Sequence, residues 1–216
     1  MRGDCVQALF KMSRNPEKAT EFAYYCGVPL LLQIMEKSQS NLALQRNAIG
    51  SLLNLSFACA EYVLSQVQIF DVLVTVIKQH STCIPLLRTT LVLMQRIAAM
   101  ENEASLDSML KANADIAIMT IIKTQYKKTE LLPSALATLT ILCKHRQDSR
   151  TAIATCVNLT CLVKIFQSNE SILPINREAF KLMRVLSCDE MPVPRALLRD
   201  KISKTVLVRA GFIEKL

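Results

Sequence analysis

The chain has 216 residues, of which 51% are hydrophobic and 20% are charged, and its formal net charge is +8. This balance excludes wholesale disorder, which needs low hydrophobicity and a high net charge. With only four glycines and no tryptophan, glycine-rich β folds and phosphate-binding loops are disfavoured, because their turns rely on glycine for positive φ. The composition therefore predicts an all-α protein with a core of aliphatic residues, alanine and methionine.

Polar breaks divide the chain into predicted helices. Asn15-Pro16 ends the first helix, since the residue before a proline is pushed out of the α region. Gly27 and Pro29 lead into a helix over residues 30–36, which ends at the polar segment 38–41. Further breaks are predicted at residues 79–82, 101–103, 144–149 and 168–171.

Two helical landmarks recur at a constant spacing. One is an apolar residue followed by a small one, with its apolar member at Met12, Leu55, Ile97, Leu142 and Leu186, so that the gaps are 43, 42, 45 and 44 residues. The other is an apolar doublet beginning at Ile34, Val76, Ile121 and Ile165, with gaps of 42, 45 and 44 residues. A period of 42–45 residues with three helical pieces in each unit is typical of armadillo and HEAT repeats.

Three segments resemble the armadillo repeat family. Residues 45–56 (QRNAIGSLLNLS) resemble the third helix of an armadillo repeat, residues 27–32 (GVPLLL) resemble the start of a family helix, and residues 210–216 (AGFIEKL) resemble another copy. In the weaker units the glycine positions are taken by Asp115 and Asn158, residue types that can adopt unusual backbone angles.

The resemblance implies one domain over residues 1–216, a right-handed α-solenoid of about four and a half repeats. The approximate repeats are 1–40, 41–82, 83–126, 127–170 and 171–216. Apolar residues at both termini indicate a fragment of a longer solenoid, or ends that dock on something, because solenoid ends need polar caps. The polar stretch 187–204 is predicted to be an insertion and a possible partner-contact loop.

The resemblance also implies a concave groove lined by the third helix of each repeat. The residues just before the landmarks would face it: Lys11, Asn54, Arg96, Ile141 and Val185. Only Asn54 fits the asparagine ladder of importin-type members, and their tryptophan row is absent, which argues against transport of nuclear localisation signals. The predicted partner-binding residues are Lys11, Asn47, Ser51, Asn54, Arg88, Arg96, Arg177, Lys181 and Arg184.

Charge favours an acidic partner for the second half of the chain. Residues 1–110 carry nine Lys/Arg and nine Asp/Glu, whereas residues 111–216 carry seventeen and nine, so the whole excess of +8 lies there. Arg177, Lys181 and Arg184 fall on one face of one helix, which makes them the best candidate patch. A solvated basic face without a ligand is an equally weighted alternative.

The sequence contains no motif that is typical of an enzyme active site. It has no phosphate-loop, dinucleotide or nucleophile-elbow motif, and its two histidines, His80 and His145, have no metal-ligand partner at finger spacing. We therefore predict no enzyme, no cofactor, no metal site and no small-molecule substrate. Eight scattered cysteines without a C-x-x-C pair are interpreted as reduced and buried. No signal peptide or long apolar run is visible, which predicts a cytoplasmic chain without a membrane span.

The predicted function is a non-catalytic protein-interaction scaffold whose groove binds an acidic or mixed-charge peptide or helix. A cytoskeletal, centrosomal or trafficking assembly is the expected setting. The alternative is a binder of nucleic acid or of an anionic membrane surface through the basic C-terminal half. Few aromatic residues accompany the basic ones, which disfavours single-stranded nucleic acid. A homodimer through the apolar ends is a third possibility.

Overall fold

A computed structural model describes residues 2–169 and 171–186, and within them every regular element is an α-helix. The predicted all-α class is therefore confirmed. The chain divides into two compact units, one ending at Ala114 and the other beginning at Asp115.

The first unit contains α1 (Arg2–Met12), α2 (Pro16–Tyr24), α3 (Gly27–Lys37), α4 (Leu42–Ala58), α5 (Ala60–Leu64), α6 (Ile69–Gln79), α7 (Ile84–Ala98) and α8 (Glu103–Lys111). The long helix α4 is its centre and packs against α1, α2, α3, α5 and α7. Ile49, Leu52 and Leu55 of α4 are completely buried by these neighbours. Burial of such side chains is the main source of stability here, at about 1.5–3 kcal/mol for each.

Five helices make up the second unit within the described residues: α9 (Ala114–Gln125), α10 (Leu132–His145), α11 (Gln147–Ile153), α12 (Cys156–Ser168) and α13 (Leu173–Leu186). The principal contact joins α10 to α13. Leu136 and Leu139 of α10 and Leu182 and Met183 of α13 are completely buried. This packing fixes the position of α13, and the outer face of α13 carries the predicted basic stripe.

Asparagine side chains set the beginnings of several helices. Oδ1 of Asn15 accepts hydrogen bonds from the amides of Glu17 and Lys18, which starts α2 directly at Pro16. Asn41 and Asn102 cap α4 and α8 in the same way. Because an N-cap side chain satisfies amides that the helix leaves unpaired, these residues explain why the polar breaks fall where the sequence predicts them.

The break predicted at residues 144–149 is much shorter in the structure. Residues 144–149 are not a polar turn, since α10 continues to His145 and α11 begins at Gln147, leaving only Arg146 between the helices. The segment is helical because Ser149 and Ile153, four residues apart, both face the interior. The two basic side chains on either side of Arg146, Lys144 and Arg150, are brought to one surface by this sharp turn.

Asp115 and Asn158, which take the glycine positions of the weaker repeats, do not have positive φ. Positive φ occurs instead at Cys26, Glu101 and Asn113 among the described non-glycine residues. Asp115 and Asn158 are helical, buried and hydrogen-bonded to neighbouring elements. They therefore act through their side chains rather than through backbone freedom.

Two glycines are needed for close helix packing. A Cβ added to Gly50 of α4 would lie 2.5 Å from Cε2 of Phe10 of α1, closer than carbon atoms can approach. The ring of Phe22 covers Gly27 in the same manner. The absence of a side chain at these two glycines therefore leaves room for the aromatic rings.

Two predicted features, the insertion at 187–204 and the repeat copy at 210–216, lie outside the described residues. No described helix is by itself long and apolar enough to cross a membrane. Within residues 2–169 and 171–186, only α11 together with the stretch Asn158–Ser168 of α12, bent by 69°, reaches that length and composition.

Candidate partner-binding surfaces

In the first unit, the small residue that directly follows each apolar landmark residue is buried. Ser13, Ser56 and Ala98 follow Met12, Leu55 and Ile97, and each is at most 4% exposed. Their small size lets consecutive long helices approach closely at these points. The residues before the landmarks are at least partly exposed, as the predicted groove requires.

Asn54 and Arg96 both reach back to the preceding long helix. Nδ2 of Asn54 donates to Oγ of Ser13 at 3.0 Å, and Nε of Arg96 donates to the carbonyl oxygen of Ser56 at 2.9 Å. The separations along the chain are 41 and 40 residues. These two predicted site residues therefore have a structural role, tying α4 to α1 and α7 to α4.

Arg96 also lies over an exposed aromatic ring. Its guanidinium carbon is 3.8 Å from the centre of the Phe57 ring, and Phe57 is 63% exposed. A cation at this distance over a ring face gains about 0.5–1 kcal/mol at exposed sites. Sequence reasoning missed Phe57, although its position two residues after Leu55 places it beside the predicted groove position.

The remaining predictions for the first unit give a mixed outcome. Ser51 is completely buried and donates to the carbonyl oxygen of Asn47 at 2.9 Å, so its prediction as a partner-contacting residue is wrong. The helix places Ser51 on the core face because α4 is surrounded on most sides. Asn47 is half-buried, whereas Lys11 and Arg88 are exposed and remain predicted contacts.

In the second unit, four cationic residues surround one pocket of about 400 Å³, which we call the basic pocket. Its lining residues are Lys144 of α10, Arg150 of α11, and Lys181, Arg184 and Val185 of α13. The structure therefore brings the predicted pair Lys181 and Arg184 together. The third predicted member, Arg177, is exposed one turn earlier on α13 and lies outside this lining.

Local contacts hold the basic pocket's side chains. Nε of Arg150 donates to the carbonyl oxygen of Cys143 at 3.2 Å, which anchors the guanidinium beside α10. Nζ of Lys181 lies 2.7 Å from Oε1 of Glu178. The lining named here gathers four cationic side chains, and such a cluster suits an anionic group.

A polar pair is buried close to Arg150. Oγ of Ser149 donates to Oδ2 of Asp115 at 2.8 Å, and the backbone amide of Ile116 donates to Oδ1 at 2.8 Å. Asp115 and Ser149 are at most 6% exposed. Both carboxylate oxygens are thus satisfied, which is what a buried carboxylate requires.

The thiol beside this pair is not activated. Burial raises the pKa of Cys143 from its ordinary value of 9.0 to about 12. Burial also raises the pKa values of Cys59 and Cys161. Because the thiolate is the reactive form, these three cysteines remain protonated and inert near neutral pH.

The six cysteines whose side chains are described are free thiols. Three are buried and Cys83 is half-buried, but Cys5 and Cys26 are exposed, which corrects the prediction that the cysteines are buried throughout. Within the part of the chain that the structure describes, no group of three or more His, Cys, Asp or Glu side chains is arranged to hold a metal ion.

Comparison with known proteins gives information on the fold only. No family model matches the chain, and no curated protein matches it. Solved structures do match, and one is the crystal structure of an engineered protein, a target of the Northeast Structural Genomics Consortium. That match covers 97% of this chain and 78% of the engineered chain, with a TM-score of 0.68 and 15% sequence identity. At this identity the match supports a shared all-helical fold.

Proposed function

We propose that the chain is an armadillo-like α-solenoid that acts as a non-catalytic protein-interaction scaffold. The helix order supports this proposal, because after α1 a short, a medium and a long helix follow one another four times. The paired contacts of Asn54 with Ser13 and Arg96 with Ser56 repeat at nearly the landmark period. Helical repeats that stack in this way present extended surfaces for partner segments.

The observation that carries the proposal is the basic pocket. It gathers Lys144, Arg150, Lys181 and Arg184 from three helices around one hollow. Its volume lies within the roughly 300–1,000 Å³ of ligand-binding hollows. We propose that it holds acidic side chains of an extended or helical partner segment, within a cytoplasmic assembly of the cytoskeletal, centrosomal or trafficking kind.

The test measures binding of a fluorescent peptide of alternating glutamate and alanine by anisotropy, with glutamine replacing glutamate in a neutral reference peptide. The double variant Lys181→Glu, Arg184→Glu is expected to bind the acidic peptide at least tenfold more weakly. The matched control is Lys127→Glu, Lys128→Glu, which makes the same charge change on exposed residues between α9 and α10. Equal weakening by both variants would mean that general charge, not the pocket, drives binding.

The alternative function is tested with the same protein. A labelled oligothymidylate and vesicles containing phosphatidylserine replace the peptide. A nucleic-acid contact would weaken steeply with salt, with a logarithmic slope of about 0.7 for each phosphate neutralised on a single strand. Tighter, steeply salt-dependent binding of the oligonucleotide, or strong vesicle binding, would replace the scaffold proposal.

A further inference from the structure

A second pocket lies in the first unit between α3 and α6. Its volume is about 230 Å³, below the range of pockets that hold drug-sized molecules. Buried apolar side chains of Met35, Val72 and Val76 form part of its wall. The exposed carboxylates of Glu36 and Asp71 belong to the same lining, one from each helix. We call this the acidic pocket.

Gln45 of α4 also lines the acidic pocket, and its side chain is completely buried. Its Nε2 donates to the carbonyl oxygens of Met35 at 2.8 Å and Ser38 at 3.1 Å. Two carbonyl acceptors fix the orientation of the amide, because a flipped amide would set Oε1 against both of them. The remaining atom, Oε1, is buried and has no hydrogen-bond partner.

Oε1 of Gln45 and the carboxylates of Glu36 and Asp71 are acceptors, and each requires a donor. Gln39, Thr75 and Gln79 complete the polar lining, and Nε2 of Gln79 donates to Oε1 of Gln39 at 2.6 Å. A lysine ammonium or an arginine guanidinium has donors and no acceptor. Both side chains also have an aliphatic stem that packs on apolar surface while the charged head contacts polar groups, which matches Met35, Val72 and Val76 beside the two carboxylates.

We infer that the acidic pocket binds one cationic side chain, lysine or arginine, of a partner protein. Three observations carry the inference: the size of the pocket, its apolar wall with two carboxylates, and the unpaired buried acceptor of Gln45. The ligand has the opposite charge to the one that the basic pocket takes. None of the basic pocket's residues is involved, so this inference and the scaffold proposal can fail separately.

The experiment titrates the isotope-labelled protein with Nα-acetylarginine amide and Nα-acetyllysine amide, observed by NMR. At least one probe is expected to shift the side-chain amide of Gln45 and the methyl groups of Val72 and Val76 saturably. The neutral counterparts, Nα-acetylcitrulline amide and Nα,Nε-diacetyllysine amide, are expected to bind at least tenfold more weakly. No saturable shift at these groups, or equal binding of the neutral probes, overturns the inference.

Variants separate the site from general charge. Glu36→Gln with Asp71→Asn is expected to lose at least tenfold in affinity, and each single substitution about threefold. Glu21→Gln with Glu61→Gln removes two exposed carboxylates of the same unit outside the pocket and is expected to bind as the wild type does. Because the substituted groups are exposed, the variants keep the core, and the single variants decide the matter if the double variant is unstable. Equal affinity in the pocket and control variants overturns the inference.

Discussion

Arg96 donates from Nε to the carbonyl oxygen of Ser56, 40 residues earlier in the chain, and its guanidinium covers the Phe57 ring. The same side chain thus binds the end of α4 through both a polar and an aromatic group. Substitution of Arg96 by methionine keeps the length of the stem but removes both contacts. The variant is expected to lose about 1–2 kcal/mol of unfolding free energy.

Urea unfolding measures the effect of Arg96→Met, with the change read from the midpoint at constant slope. Arg88→Met is the control, since Arg88 is an exposed residue of the same helix. Equal stability of the two variants would show that the contacts of Arg96 add nothing to the packing of α7 on α4.

Replacing Gly50 by alanine is expected to change the unfolding free energy in the direction opposite to the usual effect of this substitution in a helix. In an exposed helix, replacing glycine by alanine stabilises by about 1 kcal/mol. At Gly50 the new methyl group would meet the Phe10 ring, so Gly50→Ala is expected to destabilise by about 1–3 kcal/mol. Adding Phe10→Leu should recover part of the loss, and a double-mutant cycle from thermal unfolding measures the coupling. Additive effects would contradict the contact.

The raised pKa of the Cys143 thiol predicts that the unfolding free energy depends on pH. Its pKa in the folded state, about 12, exceeds the ordinary value of 9.0 that it regains on unfolding. The stabilisation is therefore fully present below pH 9 and is lost as the pH rises towards 12, at up to about 1.4 kcal/mol for each pH unit. Cys143→Ala should flatten the curve of unfolding free energy between pH 9 and 11. Parallel curves for the two proteins would refute this assignment.

Ser149 is expected to stabilise the second unit through Asp115. Ser149→Ala removes one of the two hydrogen bonds to a buried carboxylate, at a cost of about 1–3 kcal/mol. Thr151→Ala, on the exposed face of α11, is the control and should change little. The comparison is read from chemical denaturation, and a loss no larger than the control's would show that water replaces Ser149 readily.

Local signals made the helical class and the ends of several helices predictable. Asn15-Pro16 and the polar segment at 38–41 end helices through backbone chemistry that acts over a few residues, and α2 and α4 begin just after them. The prediction of a polar turn at 144–149 was wrong because polar composition does not reveal that Ser149, together with Ile153 one turn later, faces the core. Polar composition indicates which segments can be exposed to solvent. Whether a given residue is buried depends on neighbours that are distant in the sequence.

The candidate site was only partly predictable for the same reason. Lys181 and Arg184 share a helix face, so their proximity follows from helical spacing alone. Lys144 and Arg150 reach the same pocket only because the chain turns at Arg146. Ser51 was misplaced because an exposed face of α4 cannot be assigned without knowing that five helices surround it.

Among the cysteines that the structure describes, two exposed thiols affect how self-association is measured. Cys5 and Cys26 are accessible, whereas Cys59, Cys143 and Cys161 are shielded. In an oxidising buffer two chains can cross-link through the accessible pair, giving a dimer unrelated to helix stacking. A dimer that persists in reductant and disappears on dilution reports a non-covalent interface, and one that reductant abolishes reports air oxidation.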